Sequence, residues 1–185
     1  MYHGIIGTQS TSGTTEQELN LQITLKLQEV LEQSGVKVIL TRSDDNGIYE
    51  VDKDSIRSKK VSDMKNRVYI GNNSDADIYV SIHMNYYTES QYNGWQTFYQ
   101  SSSENSKKLA TIIQQSLTEN IGENTRNPMA IKGAYIMDKV KIPSVIVECG
   151  FLSNKSDEEK LKTDSYQSQL AWGIYLGIQK YFMEE

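Results

Sequence analysis

Four side chains in this sequence have the chemistry for metal-assisted hydrolysis: His3, Glu16, His83 and Glu148. Zinc accepts two imidazole nitrogens and one carboxylate oxygen and leaves a fourth position for water. It lowers the pKa of that water and polarises a carbonyl. A second carboxylate, off the metal, can then act as general base and later pass the proton to a leaving amine. Two His and two Glu therefore suffice for amide hydrolysis. Their spacing is not the compact His-Glu-x-x-His pattern, so pattern alone carries little weight. Plainer readings stand beside this one. Glu16 is a favourable dipole partner at a helix start, His83 an ordinary strand histidine, and His3 a surface residue near a terminus. Glu148 is less easily dismissed, because a carboxylate between Val147 and Cys149 is costly to bury unless it is paired or functional. Cys149 is the single cysteine. It excludes an internal disulfide framework and a Cys-rich zinc site, and it reads as a small core residue.

Two of the four stand at strand ends. Residues 78–82 form a short apolar run closing on His83, Met84 and Asn85, and residues 144–147 form another closing on Glu148. Open α/β sheets place their sites at the carboxyl ends of such strands. Glu16 opens a helix expected over 16–33, capped by Thr14 or Thr15, with Leu19, Ile23, Leu27, Val30 and Leu31 as its apolar stripe. Glu16, Asn20 and Ile23 share a side, which turns Glu16 towards the body of the protein. Around these the pattern predicts a strand at 36–40, a polar loop at 43–60 and a helix at 61–72. It continues with a strand at 97–99, a helix at 104–121, a loop at 122–132, a short strand at 134–137, and helices at 154–162 and 166–182. Alternating strands and helices give an α/β three-layer sandwich, a mixed and mostly parallel sheet with helices on both faces.

The 185 residues fit a single domain, 1–185, large enough to bury a sizeable core. A net charge of −5 argues against nucleic acid as partner. No run is apolar for long enough to span a membrane, and no signal peptide is visible. With two histidines in the chain, a metal site holds at most two imidazoles.

Longer blocks add what spacing cannot. Ser81-Ile82-His83-Met84-Asn85 fits a Ser-Ile-His-x-Asn signature, and residues 143–154 fit a Val-Glu-x-Gly-Phe-x-Ser-Asn block. Residues 15–21 look like a Glu-x-x-x-Asn-Leu helix start, Thr41-Arg42 like a Thr-Arg strand end, and Arg67 like the arginine of the helix before the metal strand. In this order they resemble the zinc-dependent N-acetylmuramoyl-L-alanine amidases of bacterial autolysins, spore-cortex enzymes and phage lysins. The resemblance implies one zinc ion, with Glu16 as its carboxylate ligand and His83 as its histidine ligand. It implies Glu148 as the catalytic glutamate and assigns Asn85 to substrate binding. Arg42 and Arg67 either line or brace the site or serve the fold alone. The implied substrate is peptidoglycan, cut between the lactyl group of N-acetylmuramic acid and L-alanine. That substrate implies an extracytoplasmic place of action.

The N-terminus departs from the family. Members open with an apolar strand ending in Asp-x-Gly-His-Gly-Gly, whose histidine binds zinc. Here Tyr2-His3-Gly4-Ile5 stands instead, and the family's first strand is missing from the pattern. In one alignment His3 is the third zinc ligand. In the other, His3 belongs to the loop after that motif, and the ligand and strand lie upstream. This departure motivates a rival function, a non-catalytic amidase-fold module that binds wall fragments or a regulatory protein partner. The clustered Tyr86, Tyr87, Tyr92 and Tyr99 either contact sugar or pack on one another.

Overall fold

The computed structural model describes residues 8–50, 52 and 55–184. Four strands form one sheet in the order β1-β4-β2-β3: β1 Tyr79–Asn85, β2 Gln96–Gln100, β3 Met129–Ile131 and β4 Ser144–Phe151. β1 and β4 are parallel, β2 and β3 are parallel, and the two pairs meet antiparallel through β4 and β2. The described helices are α1 Glu16–Gln33, α2 Ile56–Asn73, α3 Glu104–Ile121, α4 Tyr135–Lys139, α5 Lys155–Leu161 and α6 Asp164–Met183. The expected mixed α/β sandwich is observed.

The core lies between the sheet and α1, α3 and α6. Thr15 caps α1, and the stripe of Leu19, Ile23, Leu27 and Leu31 is buried. Ser103 caps α3, which buries Leu109, Ile113 and Leu117. Strand side chains alternate between faces, so Ile82, Met84, Val145, Val147 and Cys149 join this core. Each such burial contributes roughly 1.5–3 kcal/mol for a Leu-sized side chain. The α3–α6 contact is close because Gly177 has no side chain: a Cβ there would lie 2.7 Å from the Ile113 Cα. Gly177→Ala would therefore force the two helices apart. The alternate positions Tyr79, Ser81, His83, Ile146 and Glu148 face the other way. There a cavity of about 530 Å³ opens between β1, α2, α4 and residues 39–49.

Four elements differ from the pattern. Residues 36–40 have no assigned secondary structure; Val36 and Val38 pack on the core, but no strand pairs with them among the described residues. Ile39 and Leu40 line the cavity, as does β1. α2 begins at Ile56, because Ser55 and Ser58 form a reciprocal capping box that the charges around them concealed. Residues 134–137 enter the one-turn helix α4 instead of a strand, with Met137 buried; a four-residue apolar run does not separate the two. β3 lies inside the predicted loop and is an exposed edge strand without the alternation that reveals buried ones. His3 and the N-terminal residues that bear on the family's first strand lie outside the described residues.

Candidate active site

The sheet register brings the site together. His83 of β1 is the direct partner of Glu148 on β4, and Glu148 is the direct partner of Gln96 on β2. β1 ends at Asn85, β4 at Phe151, and β2 begins at Gln96, so the three side chains form a row near the carboxyl end of the parallel pair. α1 adds Glu16 from its first turn, placed by the Thr15 cap.

Glu16 is buried and multiply held. Its Oε1 lies 2.8 Å from His83 Nδ1 and accepts the Met84 N–H at 3.3 Å. Its Oε2 accepts the Thr8 N–H at 2.9 Å. Asn20, one turn along, reaches Oε1 at 3.5 Å, which gives that asparagine of the helix-start motif a contact with the carboxylate. Burial alone would raise the Glu16 pKa, but the His83 hydrogen bond and charge and the backbone donors outweigh it and hold it at about 2. His83 mirrors this. Burial disfavours its charged ring, yet the Glu16 hydrogen bond and charge raise its pKa above the ordinary value. The ring stays open on its far side, with 42% of the side chain exposed.

Glu148 is the opposite case. Its Oε2 is sealed from solvent and has no hydrogen-bond partner. Burial lifts its pKa to about 7, with His83 opposing and Glu16 adding to the rise. A buried oxygen without a donor is uncommon enough to need a reason, and a carboxyl poised near neutrality is suited to proton transfer. Cys149 next to it is fully buried, and burial with the Glu148 charge pushes its thiol far up. It is a core residue and not a nucleophile.

The structure thus sets Glu16 against His83, with Glu148 next to His83 across the ladder. Asn85 ends β1 close by, with its Oδ1 taken by the Tyr86 N–H at 2.8 Å. Arg67 is a brace: it pairs with Asp63 at 2.5 Å and donates to Thr41 Oγ1 at 3.0 Å. Arg42 is another, donating to the Gln17 carbonyl at 2.6 Å just after Glu16. Tyr87 and Tyr92 pack on each other and on Phe151, with the Arg126 guanidinium 4.7 Å from the Phe151 ring centre. Arg126 also donates to Gln96 Oε1 at 3.2 Å. Sequence reading missed Gln96 and Arg126, and it missed two buried carboxylates on α5. Asp157 Oδ2 accepts the Gly94 and Phe151 N–H groups at 2.8 and 3.0 Å and fixes the end of β4. Glu158 faces the residues before Glu16. In the sequence these two read as one charged stretch of an exposed helix.

Among the described residues, no three His, Cys, Asp or Glu side chains gather around one point. Two donors do converge, an imidazole nitrogen and a carboxylate oxygen, and that donor pair suits zinc. A profile of N-acetylmuramoyl-L-alanine amidases matches residues 3–180.

The chain belongs to the N-acetylmuramoyl-L-alanine amidase family.

It is accordingly a peptidoglycan amidohydrolase, and the non-catalytic reading is not favoured. The germination-specific N-acetylmuramoyl-L-alanine amidase of Bacillus subtilis is 34% identical over 92% of this chain and 72% of its own length. The B. subtilis amidase LytC is 33% identical over 92% of this chain, which spans 32% of that longer relative. Among solved structures, the CwlD amidase of Clostridioides difficile, in complex with the GerS lipoprotein, superposes with a TM-score of 0.95 at 41% identity. That match covers 97% of this chain and 93% of CwlD. A Clostridium difficile 630 N-acetylmuramoyl-L-alanine amidase follows with a TM-score of 0.83 at 31% identity, over 97% of this amidase and 90% of that one.

Proposed function

We propose that this amidase cleaves the lactyl–L-alanine amide of peptidoglycan with one zinc ion held by Glu16 and His83. His3 is the third ligand in this reading. One observation carries it: Glu16 Oε1 and His83 Nδ1 converge to 2.8 Å, in register with a Glu148 oxygen that has no partner. Zinc held there supplies Lewis acidity, acidifying a water and polarising the scissile carbonyl. Glu148 takes the proton from the attacking water. It then delivers that proton to the L-alanine nitrogen as the amide breaks, so one carboxyl serves as base and acid in turn. In the metal-free site burial lifts its pKa to about 7, which already displaces the carboxyl towards proton exchange at neutral pH. Glu16, held ionised by its donors, stays out of the proton traffic. Asn85 at the rim is the proposed substrate contact.

Cleavage of purified peptidoglycan, followed by the appearance of L-alanine amino termini, tests the reading together with zinc content by elemental analysis. The expected result is near-stoichiometric zinc in both the parent and Glu148→Gln, with cleavage in the parent alone. Full activity in Glu148→Gln would remove Glu148 from the mechanism.

Among the described residues no helix is long and apolar enough to cross a membrane. The proposed place of action is extracytoplasmic, following the substrate. A regulatory protein partner is also proposed, on the precedent of the CwlD structure with its lipoprotein. A shift in the elution of the purified chain on mixing with a candidate lipoprotein tests that point, and unchanged elution speaks against it.

A further inference from the structure

We propose that Glu158 is a positioning residue for Glu16, acting through the hairpin of residues 8–15. The proposal rests on the reading of Glu16 as a metal ligand.

Residues 8–15 fold back on themselves. Gln9 bridges antiparallel to Thr15, the Ser10 N–H donates to the Thr14 carbonyl at 2.9 Å, and Gly13 turns the chain at φ +93°. The open end of this hairpin grips Glu16 twice. The Thr8 carbonyl accepts the Glu16 N–H at 2.8 Å, and the Thr8 N–H donates to Glu16 Oε2 at 2.9 Å. One oxygen of the carboxylate is thereby fixed, and the other faces His83, with the Met84 N–H and Asn20 beside it. Where Thr8 sits therefore decides how Glu16 is presented.

The hairpin has no apolar anchor, since residues 8–15 are Thr, Gln, Ser, Thr, Ser, Gly, Thr and Thr. Ordering such a segment costs conformational entropy that packing does not return. Glu158 supplies the tie. Its Oε1 accepts from Ser10 Oγ at 2.7 Å, from Thr14 Oγ1 at 2.6 Å and from Ser12 Oγ. The Lys162 ammonium lies 2.8 Å away and balances the charge. Ser10 and Glu158 are each only 6% exposed. Hydrogen bonds to an ionised acceptor are the stronger kind. Glu158 stays ionised: burial pushes its pKa up, but Lys162 and the three hydroxyls outweigh it and hold it at about 2. The chain of contacts thus runs from α5 through three hydroxyls to the hairpin, and from Thr8 to the metal-facing carboxylate.

A residue that only stabilised the fold would lower the melting temperature and leave metal affinity alone. Zinc affinity of the full chain, by competition with a chromogenic chelator well below the melting temperature, separates the two. Glu158→Ala is expected to weaken zinc roughly 10–100-fold, as loss of a ligand-orienting contact does. The double variant Ser10→Ala/Thr14→Val should lose a similar factor, and combining all three changes should add little, because the groups act as one unit. Peptidoglycan cleavage should recover at saturating zinc. A lowered melting temperature with zinc affinity within about twofold of the parent would overturn the proposal. If Glu158→Ala does not fold, the double variant, which keeps the Glu158–Lys162 pair, is judged by the same criterion. Glu16→Ala is the control. Zinc binding lost there but kept in the Glu158 and hydroxyl variants overturns the positioning role alone. Zinc binding unchanged in Glu16→Ala overturns the ligand reading, and the positioning role with it.

Discussion

Glu16 and Glu148 are both carboxylates, both inside the site, and both pushed up in pKa by burial. They end at opposite extremes, about 2 and about 7. Donors make the difference. Glu16 stands at a helix start, where the Thr8 and Met84 amides and the His83 ring reach it. Glu148 stands inside β4, whose backbone amides are committed to the ladder, and its inner oxygen receives no donor. Groups driven apart in this way divide the labour of a site: one stays charged and holds, the other exchanges a proton. The contrast assigns roles without reference to the order of the residues in the chain.

The contrast can be broken most directly at Glu148. Glu148→Gln should cost on the order of 10²–10⁴-fold in amide hydrolysis, the range for loss of a general acid–base, while leaving zinc binding intact. Coupled loss of zinc would mean that Glu148 is a ligand and that the two carboxylates do not divide their work. Glu16→Gln should do the reverse, weakening zinc by about 100-fold or more, with activity partly recovered as zinc is raised. Equal zinc affinity in parent and variant, by chelator competition, would erase the distinction.

A third test uses stability. Glu148 titrates near 4.5 when unfolded and about 7 when folded. Between these values the folded state holds the extra proton, so stability falls as pH rises from about 4.5 to about 7. The metal-free Glu148→Gln variant escapes this cost. Above pH 7 it should exceed the parent by on the order of 3 kcal/mol, and near pH 4 the advantage should vanish. Denaturant unfolding at the two pH values measures it; an advantage independent of pH would place its origin elsewhere. The smallest effect is expected at Asn85. Asn85→Ala should raise KM a few-fold with kcat little changed, and a fall in kcat alone would move Asn85 into the chemical step.

Much of this site was legible beforehand, for physical reasons. α1 and α3 begin and end where the caps at Thr15 and Ser103 and the apolar stripes place them. His83 and Glu148 were visible because each terminates a continuous apolar run, and Glu16 because its helix start belongs to a longer block. What escaped depends on contacts that period and propensity do not encode. Residues 36–40 alternate like a strand, but a strand is defined by its partner. Glu158 looks like one charge among several on a short helix; only the fold reveals that it faces three hydroxyls more than 140 positions away. Gln96 gives no signal at all until the antiparallel entry of β2 sets it beside Glu148.

Asp157 and Glu158 are neighbours in sequence that serve two sides of the site. Asp157 holds the end of β4 and Gly94, and Glu158 holds the hairpin before α1. That makes the length of the segment from Asn154 to Leu161 a gauge. Untethered surface loops can gain or lose residues at small cost, because loop closure depends only weakly on length. One residue inserted between Asn154 and Asp157 would instead turn both carboxylates about 100° around the α5 axis and release both sides at once. In this part of the amidase, spacing is as much a constraint as residue identity.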